Sequence, residues 1–242
     1  MTDHPLEELT TAPSACELCS MDVYQAVISR RAVRAFLGTT VPRAALERVL
    51  TAAARAPSGG NLQPWHSYVL TGAPLELLKK QASARAAVGD PGDEREYQMY
   101  PPHLRPLYRN RQASAGEQRY SALGIVREDR VGRKAAVAAN WNCFGASTAL
   151  FCYVDRDMGL PQWADVGIYL QTVMLLLRAE GLHSCPQMAW SVYRTTVAAI
   201  VRPPSHLMLF CGLSIGFENA AAPAVRIRRA PLDETTTFID ER

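Results

Sequence analysis

The sequence predicts an α+β or α/β protein built around one main domain. Helical segments alternate with short apolar strand segments along the chain, an order that argues against a β-sandwich. With 242 residues, the chain can bury a core without disulfide or metal crosslinks. Its 48% hydrophobic and 20% charged residues argue against general disorder. We therefore expect a single domain over 21–242, preceded by a flexible arm over 1–20 that lacks periodicity.

The first part of the domain is predicted to contain two helices, a loop, a strand and a third helix. Asp22 is a suitable N-cap, and apolar residues follow it at helical spacing as far as Arg30. Pro42 fits the first position of a second helix, which Pro57 ends. After a loop over 57–64, the run 66–70 predicts a strand and 75–88 a short helix.

Residues 89–134 differ from the segments on both sides. The stretch is polar, Pro101-Pro102 interrupts it, and it contains four tyrosines, namely Tyr97, Tyr100, Tyr108 and Tyr120. A long segment of this kind inside a domain is typical of a lid or a binding excursion. We therefore predict an insertion that carries short helices.

The last part of the domain is strongly apolar. The pattern predicts a helix over 135–144, strands over 147–154, 182–185 and 207–215, and a further helix between the last two strands. Between the first two of these strands, Asp165 is predicted to cap the most apolar helix of the chain, which ends at Glu180 before Gly181. Because that helix is apolar on almost every side, we expect it to be central or shared across a dimer.

Several classes of function are disfavoured by the sequence. The net charge of +3 is too small to indicate nucleic acid as the main partner. No signal peptide is evident, and the longest apolar stretch, 166–177, is shorter than the roughly 20 residues that span a bilayer, so we expect a cytoplasmic protein without a membrane partner. Cys16 and Cys19 form a CxxC without a second pair of ligands, so no metal site is predicted. The GxSxG match at 212–216 lacks the following helix and the later histidine of a hydrolase.

Two local clusters could carry chemistry. Arg30, Arg31 and Arg34 lie at the end of a predicted helix, where they could complement the helix dipole or converge on one anion. The loop APSGGNLQPW, 56–65, contains ordinary turn formers. Alternatively, its backbone could let a flat ligand approach closely, with Ser58 and Asn61 among the hydrogen-bonding groups. The spacing alone leaves both alternatives open.

Taken together, the two clusters resemble the opening of the FMN-dependent nitroreductase family. The match consists of RRAVRAF, then a helix, then APSGGNLQPWHSYVLTG, and it continues with WADVGIYLQTVMLLLRAEGLHSCPQMAW, CGLSIGFEN and RRAPLDE over 21–238. The insertion 89–134, with YPPHLRPLYRNR and YSALGIVRED, is similar to the nitrobenzoate-reductase branch of that family. The resemblance implies a three-layer α+β fold, with a central mixed or antiparallel sheet flanked by helices, in an intertwined homodimer.

The resemblance also implies a site for non-covalent FMN at the dimer interface. It places Arg30, Arg31 and Arg34 against the phosphate and ribityl chain, with Ala32 where many relatives have Ser, and it places Arg229 at the phosphate. Further cofactor-binding residues are implied in the loop from the second subunit and beside the flavin N5 edge, namely Pro57, Ser58, Gly59, Asn61, Pro186, Gln187, Met188 and Ala189. Tyr120 is the candidate for contact with a small aromatic substrate, and no catalytic residue is implied because water can supply the protons.

The function implied by the resemblance is a ping-pong, two-electron reduction of nitroaromatic or quinone-type acceptors, with NAD(P)H as the electron donor. Two alternatives stay open at this point. The same fold could carry a flavin oxidase, dehydrogenase or reductive dehalogenase that acts on a specific metabolite. The protein could also bind flavin without being an enzyme.

Overall fold

The computed structural model describes residues 21–239, and the predicted arm 1–20 lies outside the described residues. Seven α-helices and four strands follow one another in the order α1 (Val23–Ser29), α2 (Arg43–Ala53), β1 (His66–Thr71), α3 (Gly72–Ala87), α4 (Pro106–Ala122), α5 (Arg130–Ala138), β2 (Thr148–Asp155), α6 (Leu160–Ala179), β3 (His183–Gln187), α7 (Arg194–Val201) and β4 (Leu207–Gly216). Short 3-10 turns cover Gly59–Asn61, Ala139–Gly145, Met188–Tyr193 and Leu232–Glu234. None of the described helices is long and apolar enough to span a membrane.

The four strands form one sheet in the order β1-β2-β4-β3, and every neighbouring pair is antiparallel. Side chains of β2 alternate between two hydrophobic clusters on opposite faces of the sheet, as the pleat of a strand requires. Phe151 and Tyr153 belong to the cluster beneath α3 and α7, whereas Leu150 and Cys152 belong to the cluster beneath α2 and α6. The result is a helix–sheet–helix arrangement, and the predicted α+β class is confirmed.

The central strands leave little space between the sheet and the helical layer that contains Trp190. The Trp190 side chain is fully buried and packs edge-on against Trp141 and Phe151. Gly212 of β4 lies directly beneath this indole, and a Cβ atom at Gly212 would overlap the ring. A glycine at this position therefore allows the sheet and the tryptophan to pack closely.

Gly212→Ala is expected to lower the free energy of unfolding by about 2–3 kcal/mol, since the added methyl must displace a fully packed indole. Urea denaturation followed by circular dichroism measures the change. Gly116→Ala on α4 is the matched control, because nothing lies within 4 Å of the added Cβ. An unchanged midpoint for Gly212→Ala would contradict this account of the core.

Most predicted elements are confirmed, and the exceptions have identifiable causes. Asp22 caps α1 by accepting a 2.8 Å hydrogen bond from the Gln25 N–H. Pro42 is the N-cap of α2 rather than its first residue. The helix predicted over 135–144 instead begins earlier, as α5, and passes into a 3-10 segment in which Cys143 and Phe144 have positive φ angles.

The prediction that Asp165 caps the most apolar helix was wrong. That helix, α6, begins one and a half turns earlier, where the Gly159 N–H donates to the Gln162 side chain at 3.2 Å. Asp165 is a buried residue within α6. The predicted C-terminal end is confirmed, because α6 ends at Ala179 and Gly181 adopts the left-handed conformation with φ +73°.

The insertion 89–134 has two parts with different packing. In the first part, Arg85 forms ion pairs with Asp90 and Asp93, and the Tyr97 hydroxyl donates to the Phe210 carbonyl at 2.5 Å. The second part contains α4, a single helix of 17 residues with none of them buried, instead of the predicted short helices. The insertion therefore begins packed against the domain, with partly buried Tyr97 against the cluster beneath α2 and α6, and becomes more exposed at α4.

Candidate functional site

An extended segment, 30–36, leaves α1 and runs along the outer edge of β3. Ala32 forms a parallel bridge with Ser184, and the Val33 N–H donates to the Ser184 carbonyl at 3.1 Å. Because Ser184 precedes Pro186 by two residues, this pairing brings the arginine cluster next to the segment 186–189. Two regions that are about 150 residues apart in the sequence thus become neighbours.

The C-terminal segment 217–229 returns along the same edge. The Leu37 N–H donates to the Phe217 carbonyl at 2.8 Å, and the Asn219 N–H donates to the Ala35 carbonyl at 3.0 Å. The C-terminal segment ends at Arg229. Burial has the largest effect on the pKa of Arg30, which it lowers, and the charge of Arg229 lowers this pKa further. Both guanidinium groups stay protonated at neutral pH. Within 21–239, neither of them forms an ion pair with a carboxylate.

Two neighbouring arginines without a counter-ion form a site suited to an anion. Forked guanidinium groups bind phosphate through paired, charge-assisted hydrogen bonds. Arg34 lies on the same extended segment as Arg30. Among the described contacts, its side chain donates only to the Ala32 carbonyl, at 3.4 Å.

Arg31 has a different environment from Arg30. Its guanidinium forms an ion pair with Glu218, whose other carboxylate oxygen lies 3.1 Å from His183 Nε2. Burial, Arg226 and Arg178 lower the pKa of Arg31, in that order of effect. Because Glu218 neutralises Arg31, this arginine has less charge to offer an anion than Arg30 or Arg229 has.

His183 is held in its neutral form by this group. Burial has the largest effect, followed by the charges of Arg178 and Arg31, and together they lower the pKa of His183 to about 4. The Nδ1 atom of His183 is buried without a hydrogen-bond partner among the described residues, which agrees with an imidazole that is costly to charge.

The pH dependence of stability should reflect this histidine. Since the pKa of His183 is lower in the folded than in the unfolded state, the unfolded state binds more protons between pH 6.5 and 4, and stability falls as the pH is lowered through that range. We expect His183 to contribute about 1–2 kcal/mol of this loss, allowing for its partial solvent exposure. Urea denaturation of wild type and His183→Gln at pH 7 and pH 4.5 measures the contribution, and equal losses in both proteins would contradict it.

Side chains of the segment 186–189 divide between the core and the outside. Gln187 is buried, donates to the Asn140 carbonyl at 3.0 Å and accepts a hydrogen bond from Ser214. Pro186 is exposed, whereas Met188 and Ala189 are partly buried, Met188 against the hydrophobic cluster beneath α2 and α6 and Ala189 against the one beneath α3 and α7. The side chain of Gln187 therefore anchors the end of β3 in the core. Only the backbone groups of Gln187 are left to bind a ligand.

The loop after α2 has a rigid and unusual backbone. Gly60, Asn61 and Gln63 all adopt positive φ angles, and the Gln63 N–H donates to Ser58 Oγ at 3.0 Å. The Gly59 N–H donates to the carboxylate of Asp165 in α6 at 3.1 Å. The hydrogen-bonding side chains thus stabilise the loop itself. Pro57, Gly59, Asn61 and Gln63 remain exposed.

One protomer does not bring this loop to the arginines. Asp165 ties the loop to the first half of α6, whereas Arg178, near the end of α6, donates to Ser29 Oγ beside Arg30. Thirteen residues separate Asp165 from Arg178, which corresponds to about 20 Å along the helix axis. The two predicted halves of the site therefore lie near opposite ends of α6.

Arg119 of α4 belongs to the arginine cluster but was not predicted from the sequence. Burial has the largest effect on its pKa, which it lowers, and the charge of Arg34 lowers it further. Its neighbour Gln118 accepts a 3.0 Å hydrogen bond from the Arg228 N–H. The sequence signal was weak, because Arg119 is one of several arginines on a polar helix.

Tyr120 lies at an open groove of about 690 Å³, a volume that suits a small organic ligand. The Arg133 guanidinium lies over its ring, 4.3 Å from the centroid. Gly116, Gly124, Ile125 and Val126 also line the groove. The role of Tyr120 in substrate binding stays a prediction.

The candidate site is therefore a group of arginines at one edge of a four-stranded antiparallel sheet covered by helices on both faces. Residues 27–217 match the nitroreductase family, and the chain belongs to this family. It is 34% identical over 227 residues to a 4-nitrobenzoate reductase of Nocardioides sp. (strain LMS-CY), covering 92% of each chain. It is also 34% identical to the 4-nitrobenzoate reductase of Pseudomonas putida, covering 90% of this chain and 96% of that protein.

Solved structures show the same similarity. The FMN- and NADPH-dependent nitroreductase NfnB from Sphigopyxis sp. strain HMH superimposes with a TM-score of 0.87 at 42% identity, covering 91% of this chain and 100% of that one. The FMN-dependent NfnB from Mycobacterium smegmatis, solved with NADPH, gives a TM-score of 0.84 at 32% identity, covering 90% and 100% of the two chains. The predicted family and its α+β fold are thereby confirmed.

Proposed function

We propose that this protein is an FMN-dependent oxidoreductase that uses NAD(P)H to reduce nitroaromatic or quinone-type acceptors. The observation that carries the proposal is the course of two arginine-bearing segments at one sheet edge. The segment 30–36 pairs with β3 beside 186–189, and Arg226 of the C-terminal segment donates to the Ile28 carbonyl at 3.3 Å. Arg30 and Arg229 of these segments form no ion pair in the described part of the chain, and we assign them to the FMN phosphate. The nitroreductase relatives, at 34% identity over most of the chain, support the reaction.

When bound, FMN supplies the transfer of two electrons between the nicotinamide and the acceptor. In this proposal, Arg30, Arg34 and Arg229 hold the cofactor. Pro186, Met188 and Ala189 line one side of the ring, while buried Gln187 fixes their backbone. Arg31 orders the segment through Glu218. We assign no catalytic acid or base, because water can supply the protons that the reduction consumes.

The cofactor site is completed, in this proposal, by a second copy of the chain. A two-fold pairing of antiparallel α6 helices would carry the loop containing Pro57, Ser58, Gly59 and Asn61 of each protomer to the arginines of the other. The exposed face of α6 suits this packing because it presents Ala164, Gly167 and Ile168, with Ile168 43% exposed. Exposed Val23, Tyr24, Val27 and Ile28 of α1 extend the apolar surface.

Purified protein and a steady-state assay test the proposed function. The protein should carry FMN, identified by its absorption spectrum and by chromatography of the released cofactor. NADPH or NADH oxidation should accelerate on addition of 4-nitrobenzoate or menadione. Absence of FMN after reconstitution would contradict the cofactor assignment. Failure of both donors with FMN bound would instead favour an oxidase or dehydrogenase of the same fold.

A further inference from the structure

Arg119 is a half-buried cation with an incomplete set of hydrogen bonds. Its Nη2 donates to the Ala136 carbonyl at 2.9 Å, whereas its Nε is buried and has no partner among residues 21–239. Burying an unpaired donor of a charged group is costly. Such a position is expected where a ligand supplies the missing acceptor.

Arg119 and Arg34 form no ion pair with any described carboxylate. The charge of Arg34 lowers the pKa of Arg119 after the larger effect of burial. The residue before Arg119, Gln118, accepts a 3.0 Å hydrogen bond from the N–H of Arg228, which directly precedes Arg229. Arg119 is therefore adjacent to the part of the site where the cofactor is expected.

The helix that carries Arg119 has little else to hold it in place. None of the residues of α4 is buried, and its contacts with the rest of the domain include the Gln118–Arg228 hydrogen bond and an ion pair between Arg111 and Glu234. Without a ligand, repulsion between Arg119 and Arg34 opposes the docking of α4. An electron-rich ligand between the two guanidinium groups would attract both of them and so favour the docking of α4.

We propose that Arg119 is an FMN ligand contributed by the insertion and that FMN, held between Arg119 and Arg34, docks α4 onto the domain. The proposal rests on the FMN site described under the proposed function and adds to it a residue from a different part of the chain. Cofactor binding and the position of the insertion are thus coupled.

Arg119→Gln tests the proposal because two of its expected effects have opposite signs. Removing the charge relieves the repulsion from Arg34, so the melting temperature of FMN-free protein should rise by about 2–4 °C. Removing the ligand should weaken FMN binding about tenfold or more, as measured by flavin fluorescence titration. A residue with only a structural role would lower stability in both states.

Hydrogen exchange of residues 106–122 tests the coupling directly. FMN should slow exchange in wild-type α4 and have little effect on α4 in Arg119→Gln. Arg109→Gln is the matched control on the same helix, because Arg109 is exposed and donates only to the Leu104 carbonyl among the described contacts. Arg119→Lys keeps the charge and should recover part of the FMN affinity.

The outcomes separate this proposal from the general assignment of the cofactor site. Unchanged FMN affinity in Arg119→Gln would overturn the proposal while leaving Arg30 and Arg229 as phosphate ligands. Unchanged FMN affinity together with a raised KM for 4-nitrobenzoate would overturn it in favour of a substrate-carboxylate site. Loss of FMN binding in the wild-type protein would instead contradict the proposed function itself.

Discussion

Arg30→Gln should weaken FMN binding by about 30- to 100-fold, since it removes charge-assisted hydrogen bonds worth about 2–3 kcal/mol. The same change relieves the repulsion between Arg30 and Arg229 and should not destabilise the FMN-free protein. Fluorescence titration of FMN and thermal unfolding without FMN measure the two effects. Arg30→Lys should bind FMN with intermediate affinity, because lysine cannot form the bidentate contact.

Arg43→Gln is the matched control for this variant. Arg43 lies on α2 and is exposed, and its 2.7 Å ion pair with Glu47 is confined to the surface. Its substitution should leave the affinity for FMN unchanged. If Arg30→Gln bound FMN as tightly as Arg43→Gln does, the phosphate would have to lie elsewhere, and the central observation behind the proposed function would fail.

Gly167→Arg should convert the proposed homodimer into a monomer and abolish FMN binding at micromolar concentrations. Nothing lies within 4 Å of a Cβ atom at Gly167, so the protomer can accept the larger side chain without repacking. In the proposed dimer, however, the same position faces the partner's α6, where a buried unpaired charge is strongly unfavourable. Analytical ultracentrifugation and flavin titration report the two losses together.

Leu77→Arg on α3 is the control for this substitution. Leu77 is 48% exposed, and α3 covers the opposite face of the sheet from α6. This variant should remain dimeric and retain FMN. A Gly167→Arg protein that is monomeric but still binds FMN tightly would show that one protomer suffices for the site, and it would contradict the shared-site proposal.

The elements that the sequence predicted well are those with a strong local signal. Asp22 and Gly181 mark helix ends through backbone conformations that depend on only a few neighbouring residues. The start of α6 was misplaced because Asp165 looks like an N-cap, whereas in the fold its carboxylate binds the Gly59 N–H from a distant loop. A local sequence pattern cannot show whether a carboxylate accepts a hydrogen bond from the first turn of its own helix or from a distant loop.

In the arginine cluster, too, local sequence predicted some features, and contacts between distant residues decided others. The sequence pointed to Arg30, Arg34 and Arg229 through their resemblance to one family, whose membership the comparisons confirm. It did not distinguish Arg31, which Glu218 neutralises, from Arg30, which has no counter-ion in the described structure. Ion pairing depends on distances between side chains that are almost 190 positions apart in the chain.

By itself, the sequence determined the α+β class, the family and the two motifs that carry the family resemblance. Local propensity, hydrophobic periodicity and motif order carry that information over short distances along the chain. Only the tertiary structure decided that the loop and the arginines lie near opposite ends of α6, and that α4 brings Arg119 to Arg34. Charge and burial act through space, so the residues that hold an anion are selected by the packing of segments far apart in sequence.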